Sequence, residues 1–597
     1  MTEITSQHVY IEGIDPSADP LTRYHACKAM ARGYAESKKS EKTRLSHARA
    51  FCAVIVKAFW GVLCEQNSAT LRIKPISLSL PSLAVDAHRL ADDIGRLVAG
   101  FPVEDAGYLI GSIYTVMLPS SLRSKMGAYY TPPPLVARLL DQIESAGFDL
   151  ARGTAIDPAC GGGAFLAPLA LRMVAHDGGA SPEWTLRRLG KRLKGLEIDR
   201  FAAWMTTVLL EAAVLPLCVA AKRRMPDLVT VGDALRPRDH GRFDLVIGNP
   251  PYGRISLEES MRKHYERSLY GHANLYGLFT DLALRLVKPA GIVAYLTPTS
   301  FLGGQYFKAL RQLLTLETTP FAVDFVADRD GVFDDVLQET LLTTYIKNAS
   351  AVPTTVSMLV PQGLNAATIE RVGAVHVNKD GNPWLLPRSS NDAVFLNAIA
   401  QMPTRLVDIG YVVITGQLVW NRHKNQLRNV AEAESLPLIW AESVTLGGFS
   451  FSADRRNHVP YINVETNQPH LVTRHETILV QRTTSKEQNR RLMAAILPQT
   501  FLDQFGGVVI ENHLNMVHSP LGAASKVSLE ALAMLLNSEA ADRAFRCISG
   551  SVAVSAYELN ALPLPSVQQF AEIERSIQSG ATKAMIERQI ATFYGIS

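Results

Sequence analysis

A glycine-rich loop after a short apolar run is the first stretch with residue types suited to chemistry. Asp157 ends the run, and three consecutive glycines, Gly161 to Gly163, lead into a helical pattern that begins at Ala164. Glycines let the backbone approach a ligand closely, and a helix N-terminus favours negative charge. A dinucleotide site is the rival interpretation, but Leu166 stands where that fingerprint needs its last glycine. The carboxylate of Asp157 suits an amino group better than a pyrophosphate.

Two further acids, Glu197 and Asp233, stand at the ends of the next two predicted strands. A carboxylate at the first position can accept hydrogen bonds from ribose hydroxyls, and one at the second from an adenine amino group. Either acid alone is more often a helix cap or a surface residue. Three acids at successive strand ends, after a glycine loop, fit a ligand with an amino acid moiety, a ribose and an adenine. That ligand is S-adenosylmethionine.

The fourth predicted strand runs directly into Asn249, Pro250, Pro251 and Tyr252. Two consecutive prolines fix φ twice and remove two backbone donors, so the neighbouring carbonyls face a site without a competing N–H. An asparagine oxygen, a fixed carbonyl and a flat aromatic ring together form a receptor for a planar exocyclic amine. A rigid structural turn is the alternative, and the position of the motif downstream of the glycine loop disfavours it.

The elements between residues 116 and 350 place these loops at one edge of a sheet. Strands are predicted at Thr154–Asp157, Lys194–Asp199, Leu228–Gly232, Asp244–Gly248, Gly291–Leu296, Phe321–Ala327 and Leu341–Lys347. Helices are predicted at Ala164–Ala175, Phe201–Val214, Tyr276–Val287 and Gln305–Leu314. Near-continuous apolar strands that alternate with helices predict an α/β fold with a mostly parallel, doubly wound, Rossmann-like sheet of seven strands. Ligands bind such sheets at the C-terminal ends of the strands.

Composition excludes several classes of protein. A chain of 597 residues with 47% hydrophobic and 19% charged residues is neither collagen-like, disordered nor disulfide-rich, and its length suggests three or four domains. The net charge of +4 does not by itself indicate a nucleic-acid-binding protein. Six well-separated cysteines indicate reduced thiols and no metal site. No signal peptide is recognised, and two apolar stretches broken by Lys57 and Glu211 are predicted to be buried helices, so we expect a cytoplasmic protein without a membrane span.

These motifs and their order resemble the gamma class of N6-adenine DNA methyltransferases, within the amino-methyltransferase superfamily. The stretch Gly127–Pro132 looks like the leading cofactor motif of that family, and Gly331–Asp334 stands where the family carries an aromatic residue that stacks on the target base. The resemblance covers residues 116–350 by motif and 406–566 only by position and general character. It leaves the first hundred residues, which read as helical, unexplained.

The resemblance implies transfer of a methyl group from S-adenosylmethionine to N6 of an adenine flipped out of duplex DNA. No metal and no strong base are needed, because hydrogen bonds to Asn249 and to the Pro250 carbonyl favour a pyramidal amine, and the flipped base stacks between Tyr252 and Phe333. The cofactor contacts implied are Tyr130, Thr131, Asp157, Ala159, Cys160, Gly161, Gly163, Glu197, Ile198, Asp233, Ala234 and Asn249.

Target recognition is assigned to the C-terminal part of the chain. The predicted domains are a helical N-terminal region at 1–115, the methyltransferase domain at 116–350, a connecting region at 351–405, a mixed α+β target recognition domain at 406–566 and a helical tail at 567–597. Amide, aromatic and basic side chains form clusters suited to base edges and phosphates. The predicted DNA contacts are Gln417, Trp420, Asn421, Arg422, Lys424, Arg482, Lys486, Arg490 and Arg491.

The sequence leaves two other functions open. One is methylation of guanine N2 in RNA or of a protein glutamine, since Asn-Pro-Pro-Tyr occurs in those families too, although they are much shorter. The other is a non-catalytic nucleic-acid-binding subunit, which the intact acids and the intact Asn249–Tyr252 motif argue against. The expected partner is double-stranded DNA, the expected state is a monomer or homodimer, and the resemblance allows for a separate cognate restriction endonuclease.

Overall fold

The computed structural model describes residues 11, 14–15, 17–126, 130–327, 339–364, 366–454, 458–483, 490–520, 524–548 and 553–596. Its α-helices are α1 Pro20–Glu36, α2 Glu41–Gln66, α3 Val85–Val98, α4 Ala106–Met117, α5 Ser120–Met126, α6 Pro133–Ser145, α7 Leu166–Ala175, α8 Pro182–Arg192, α9 Arg200–Ala213, α10 Leu215–Ala221, α11 Glu259–His264, α12 Leu275–Leu286, α13 Lys308–Glu317, α14 Asp392–Ala400, α15 Gln499–Phe505, α16 Leu529–Leu536, α17 Glu539–Ile548, α18 Ala556–Asn560, α19 Val567–Gln578 and α20 Lys583–Phe593.

The strands form one large sheet and several smaller ones. They are β1 Ala155–Asp157, β2 Leu193–Glu197, β3 Val229–Val231, β4 Phe243–Gly248, β5 Arg254–Ile255, β6 Ala273–Asn274, β7 Val287–Pro298, β8 Thr318–Val326, β9 Thr340–Lys347, β10 Thr354–Gln362, β11 Ala366–Val375, β12 Val412–Thr415, β13 Leu427–Arg428, β14 Ser435–Ile439, β15 Val444–Thr445, β16 Gly448–Phe449, β17 Tyr461–Asn463, β18 Val472–Thr473, β19 Thr477–Gln481, β20 Ala494–Leu497, β21 Val508–Ile510 and β22 Leu514–His518.

The large sheet has the strand order β11-β10-β8-β9-β7-β4-β1-β2-β3. The pairs β1–β2, β1–β4, β2–β3, β4–β7 and β8–β10 are parallel, whereas β9 runs antiparallel to both of its neighbours. All seven predicted strands lie in this sheet, so the mostly parallel α/β architecture is confirmed. The predicted strand number is too low, because β10 and β11 extend the sheet to nine strands.

The chain divides into two compact units, and each unit is built from two separate segments of the sequence. The first unit comprises residues 1–298 and 313–370, and the second comprises 299–312 and 371–597. The helical N-terminal region therefore falls in the same unit as the large sheet. The predicted connecting region at 351–405 is divided between the units, since it supplies β10 and half of β11 to the first unit and α14 to the second.

The N-terminal helices pack into a hydrophobic core of their own, together with α9. Helix α2 is long and apolar enough to cross a membrane by length and composition, and 61% of its most apolar window is buried inside the protein. Several basic side chains of α1 and α2 also point inward. Arg44 donates from Nε to the carbonyl oxygen of Met117 at 2.7 Å, while Arg23 and Lys28 are buried. The basic side chains of these two helices therefore do not all lie at the solvated surface.

The second unit combines a four-stranded antiparallel sheet with the C-terminal helices. The sheet has the order β12-β22-β19-β20, and a separate five-stranded sheet has the order β13-β17-β14-β21-β18. Arg311, on the short segment 299–312, is fully buried here. It donates to the carbonyl oxygens of Phe301 at 2.7 Å, Gly381 at 3.1 Å and Asn382 at 3.1 Å, and to the hydroxyl of Tyr557 at 3.2 Å.

Candidate active site

A cavity of about 780 Å³ opens in the first unit, at the C-terminal ends of β1, β2, β3 and β4. This volume lies within the usual range for small-molecule sites. The predicted cofactor residues that line the cavity are Tyr130, Thr131, Asp157, Ala159, Cys160, Gly161, Glu197, Ile198, Asp233, Ala234 and Asn249. Gly163 is absent from the lining. It has φ +82°, and a Cβ there would lie 3.0 Å from the Thr206 side chain, so it serves the turn instead.

Asp157 is a buried carboxylate, with 1% of its surface exposed, at the end of β1. Its Oδ1 accepts a hydrogen bond from the Ala159 backbone N–H at 3.0 Å. Burial raises the pKa of Asp157 to about 8, and the nearby negative charge of Glu197 adds to the shift. The end of β4 lies close to this carboxylate, because a Cβ on Gly248 would lie 2.7 Å from Asp157 Oδ1. A cationic ligand group would relieve the cost of ionising this carboxylate.

Glu197 ties the glycine loop to the end of β2. One carboxylate oxygen accepts from the Gly161 backbone N–H at 2.9 Å, and the other accepts from the Asp199 backbone N–H at 2.8 Å. Burial raises the pKa of Glu197 despite these hydrogen bonds. Gly161 has φ +52°, a conformation that L side chains rarely adopt. The acid thus fixes the loop conformation as well as facing the cavity.

Asp199 is a site residue that sequence reasoning missed. It caps α9 through the Phe201 backbone N–H at 3.0 Å, and it accepts from Arg49 Nη2 at 2.8 Å and from the Tyr114 hydroxyl at 3.0 Å. Arg49 lies on α2 and Tyr114 on α4. The N-terminal helices are therefore connected through Asp199 to Glu197. The only available sequence signal was an acid two residues after Glu197.

Tyr130 fills the space between α4 and the glycine loop. A Cβ added to Gly111 would lie 2.1 Å from the Tyr130 ring, and one added to Gly162 would lie 2.3 Å from it. Burial raises the pKa of Tyr130 well above its ordinary value. These two glycines are therefore required by the ring that packs against them. Residues 127–129 of the predicted leading motif lie outside the described part of the chain.

Asp233, after β3, is more exposed than the other two acids. Its Oδ1 accepts from the Leu235 backbone N–H at 3.0 Å, and Arg236 Nε lies 3.5 Å from its Oδ2. Arg236 also lies 3.5 Å from Glu258. The remaining cavity wall was not predicted. It includes Tyr114, Ser121, Leu122, Asp199, Arg254, Ile255, Ser256, Leu275 and Phe279.

The motif after β4 lies at the same cavity. Asn249, Pro251 and Tyr252 line it, while Pro250 is buried beside them. The Asn249 side-chain amide donates from Nδ2 to Thr131 Oγ1 at 3.1 Å. The Tyr252 hydroxyl donates to the Leu296 carbonyl oxygen at 3.4 Å, and its ring meets Tyr276 edge-on at 6.1 Å. Phe333, the predicted second stacking residue, lies outside the described residues.

The predicted DNA contacts lie in the second unit, apart from Lys486, which is outside the described residues. Gln417, Asn421, Arg422 and Lys424 keep side chains at the surface, whereas the ring of Trp420 is half-buried with Lys424 Nζ 5.6 Å from its centroid. Arg482 donates from Nη1 to the Asn512 carbonyl oxygen at 3.1 Å. The polar side chains between Gln417 and Lys424 thus remain accessible to a partner.

Arg490 and Arg491 are less accessible than the sequence suggested. Arg490 donates to the Asn537 carbonyl oxygen just after α16 and lies 3.3 Å from Glu539. The Arg491 backbone N–H donates to Asp542 Oδ1 at 2.6 Å. For Arg490, these contacts favour a helix-capping role over the predicted phosphate contact.

Comparison with known proteins extends this picture. Residues 203–333 match the model of the family described as Eco57I restriction-modification methylase. The chain is 26% identical over 339 residues to Type II methyltransferase M.BsuBI of Bacillus subtilis, covering 56% of this chain and 67% of that one. It is 27% identical over 349 residues to M.PstI of Providencia stuartii, covering 57% and 68%. The restriction-modification enzyme MmeI in complex with DNA aligns with 97% of this chain and 92% of its own at 13% identity, with a TM-score of 0.49, a likeness too distant to assign function.

The family model and the named relatives place this α/β protein among the S-adenosylmethionine-dependent methyltransferases, in agreement with its glycine loop and strand-end acids. Within that class, the restriction-modification methylase family and the Type II methyltransferases that the chain matches confirm the resemblance to the gamma-class DNA methyltransferases. S-adenosylmethionine is accordingly the cofactor.

Proposed function

We propose that this chain methylates N6 of a specific adenine in double-stranded DNA, after the base has flipped out of the duplex. The observation that carries this proposal is the arrangement of Asn249 and Tyr252 at the cavity that the three strand-end acids also border. The relatives are named as Type II methyltransferases, and restriction-modification methyltransferases act on DNA. Nothing in these matches favours RNA or a protein glutamine as the substrate.

The cofactor fits the chemistry of the residues around the cavity. Asp157 is a buried carboxylate, and the α-ammonium of S-adenosylmethionine would supply the cation that stabilises its ionised form. Glu197 and Asp233 would accept hydrogen bonds from the ribose and the adenine. When bound, the cofactor supplies a methyl group on a positively charged sulfur.

Asn249 would position the amine that receives the methyl group. Its Nδ2 donates to Thr131 Oγ1, so this hydrogen bond sets the orientation of the amide plane and presents the carbonyl end as the acceptor. An acceptor held in this way can take an N–H of the target amine. Pro250 and Pro251 have no backbone N–H, so neither proline supplies a donor that would compete for the Pro250 carbonyl oxygen. Two such hydrogen bonds draw the amine nitrogen toward a pyramidal geometry and free its lone pair for attack.

Tyr252 would support one face of the flipped base. Its hydroxyl donates to the Leu296 carbonyl oxygen and its ring is half-buried against Tyr276. Burial raises the pKa of Tyr252, so the phenol stays neutral and cannot act as a base at neutral pH. A stacking platform needs a fixed ring rather than an ionisable group. A base stacked in this manner typically gains about 1–3 kcal/mol.

The partners of the reaction follow from this proposal. The second unit would contact double-stranded DNA, and the protein would work in the bacterial cytoplasm near the nucleoid as a monomer or homodimer. The protein would act either beside a separate cognate restriction endonuclease or as an orphan methyltransferase without one.

Sequencing of modified bases tests the proposed function. DNA from a methylation-deficient bacterial host that expresses the wild-type chain should carry N6-methyladenine at one recurrent sequence. DNA from a host that expresses Asn249→Ala should carry none above background, although calorimetry should show that this variant still binds S-adenosylmethionine. Methylated cytosine in place of adenine, or full methylation by Asn249→Ala, would refute the proposed reaction.

A further inference from the structure

The turn between β21 and β22 contains a buried acid that the methyltransferase site does not use. Glu511 follows β21 directly and is fully buried. Its Oε2 accepts from the backbone N–H of His513 at 2.7 Å and lies 2.7 Å from Nδ1 of the same residue. Among the residues that the structure describes, no donor lies within hydrogen-bonding distance of Glu511 Oε1. The imidazole of His513, in contrast, is 52% exposed.

A carboxylate in this position is expensive for the fold. Burying an ionised group is costly unless it is fully paired, and an apolar side chain of similar volume usually serves stability as well or better. Glu511 is only partly compensated, because one of its oxygens lacks a donor among the described residues. Its evident effect is to hold the His513 ring in one orientation, with Nδ1 directed inward and Nε2 outward. A buried acid that fixes an exposed ring at such a cost indicates a recognition role for that ring.

The same turn gathers two of the segments to which DNA contacts are assigned. The Gly416 backbone N–H donates to the Leu514 carbonyl oxygen at 2.8 Å, and the Asn512 backbone N–H donates to the Leu418 carbonyl oxygen at 3.0 Å. Gln417, between these anchored residues, is exposed. The segment that contains Gln417 is therefore fixed against the turn that carries His513.

Arg482 is attached to the same turn from β19. Its backbone N–H donates to the His513 carbonyl oxygen at 2.9 Å, and its guanidinium donates to the Asn512 carbonyl oxygen at 3.1 Å. Its own carbonyl oxygen accepts from the Val554 backbone N–H at 2.8 Å. Contacts to one turn thus hold together the exposed Gln417 and His513 and the half-buried Arg482 and Asn512, and we take these four residues as one polar surface.

We propose that this surface enters a groove of the target DNA and that His513, oriented by Glu511, reads a base edge there. The side chains have the required chemistry, since a glutamine amide offers both a donor and an acceptor, an arginine offers donors, and the outward imidazole nitrogen offers one further polar contact. Glu511 is a positioning residue and His513 a specificity-determining one. The inference rests on the proposed function only in taking duplex DNA as the partner.

Selection from a randomised pool of DNA duplexes tests this inference without requiring methylation. The wild-type chain, loaded with S-adenosylmethionine, is incubated with the pool, and the bound fraction is sequenced. We expect one enriched sequence for the wild type, and for His513→Ala the same sequence with discrimination at one base pair reduced about 10- to 100-fold. Glu511→Gln, which keeps the side-chain volume, should reduce discrimination at the same base pair. His470→Ala, a change to an exposed histidine elsewhere in the second unit, is the matched control and should leave the enriched sequence unaltered.

The outcomes separate the possible explanations. The inference would be overturned if His513→Ala enriched the same sequence as the wild type with equal discrimination at every base pair, whether or not its overall affinity for DNA were lower. A wild-type chain that enriches no sequence would overturn it too. A wild-type chain that enriches a sequence but does not methylate its adenine would contradict the proposed reaction and leave the inference standing. Melting temperatures, compared with that of His470→Ala, identify a variant whose loss of discrimination comes from unfolding, and His513→Ala remains decisive because its ring is half-exposed.

Discussion

Replacement of Arg49 by methionine should weaken cofactor binding from a distance. Arg49 belongs to α2, and its contact with the site runs through Asp199, whose backbone N–H is bound by Glu197. Methionine keeps much of the length and packing of the arginine stem but removes the charge and the hydrogen bonds. The perturbation therefore tests whether the N-terminal helices support the cofactor site rather than merely packing beside it.

The magnitude follows from the surroundings of the ion pair. The side chain of Asp199 is 5% exposed and that of Arg49 is 24% exposed. Removing one partner of a well-buried pair typically costs about 3–5 kcal/mol. Asp199 keeps its hydrogen bonds from Tyr114 and Phe201, and Arg49 is partly solvated, so a loss of about 1–3 kcal/mol in the free energy of unfolding is appropriate. The cofactor-free protein can relax around the unpaired Asp199, whereas the cofactor-bound site must keep its geometry. If this relaxation recovers about 1.4 kcal/mol, the affinity for S-adenosylmethionine falls roughly tenfold.

Calorimetric titration and thermal unfolding measure the two quantities separately. Arg32→Met is the matched control, because Arg32 pairs with Glu36 on the exposed surface of α1 and should change little. Arg49→Lys should restore part of the affinity, since it keeps the charge. A lower melting temperature with an unchanged dissociation constant for S-adenosylmethionine would refute the proposed connection and reduce the ion pair to a packing element.

Three other changes have defined outcomes. Tyr252→Ala should fold and bind cofactor but methylate DNA roughly 10- to 100-fold more slowly, whereas Tyr252→Phe, which keeps the ring, should retain most of the activity; equal loss in both would argue against stacking. The pKa of Asp157 is raised from 3.8 to about 8 in the folded protein. Between these two values the carboxyl is ionised in the unfolded chain but protonated in the folded one, so the cofactor-free protein should lose stability as the pH rises across this range. Cofactor affinity should increase between about pH 6 and pH 7.5 with release of a proton, measured by calorimetry in two buffers, and a pH-independent affinity or one unaltered in Asp157→Asn would contradict this. Arg490→Ala should lower the free energy of unfolding by about 1 kcal/mol and leave the salt dependence of DNA binding unchanged; a salt slope lowered by about 1 would restore its phosphate contact.

Much of the methyltransferase unit could be predicted because its signals are local. Apolar runs specify strands, and parallel strands bring their C-terminal ends to one edge of a sheet, so the sequence alone assigns acids such as Glu197 and Asp233 to one site. β10 and β11 were missed because prolines at 353 and 361 made that region read as a connection. Both prolines border or end the strand rather than interrupt its centre.

The roles of charged residues were harder to predict, because the tertiary structure decides whether a charged side chain points into the protein or out to solvent. The sequence of α1 and α2 gives no indication that Arg23 is buried or that Arg49 reaches Asp199, 150 positions away. Glu511 and His513 show the same limit, since an acid two residues before a histidine is unremarkable until the fold buries one and exposes the other.

The discontinuity of the second unit determines how this unit could be exchanged with that of a relative. A chimera made with one junction, near residue 370, would transplant residues 371–597 and leave the segment 299–312 behind in the recipient. The buried guanidinium of Arg311, on that segment, donates to the carbonyl oxygens of Gly381 and Asn382. In the chimera, the transplanted chain would have to supply carbonyl oxygens at the same two positions. We therefore expect an exchange to succeed when residues 299–312 and 371–597 are transferred together, because the second unit is built from both segments.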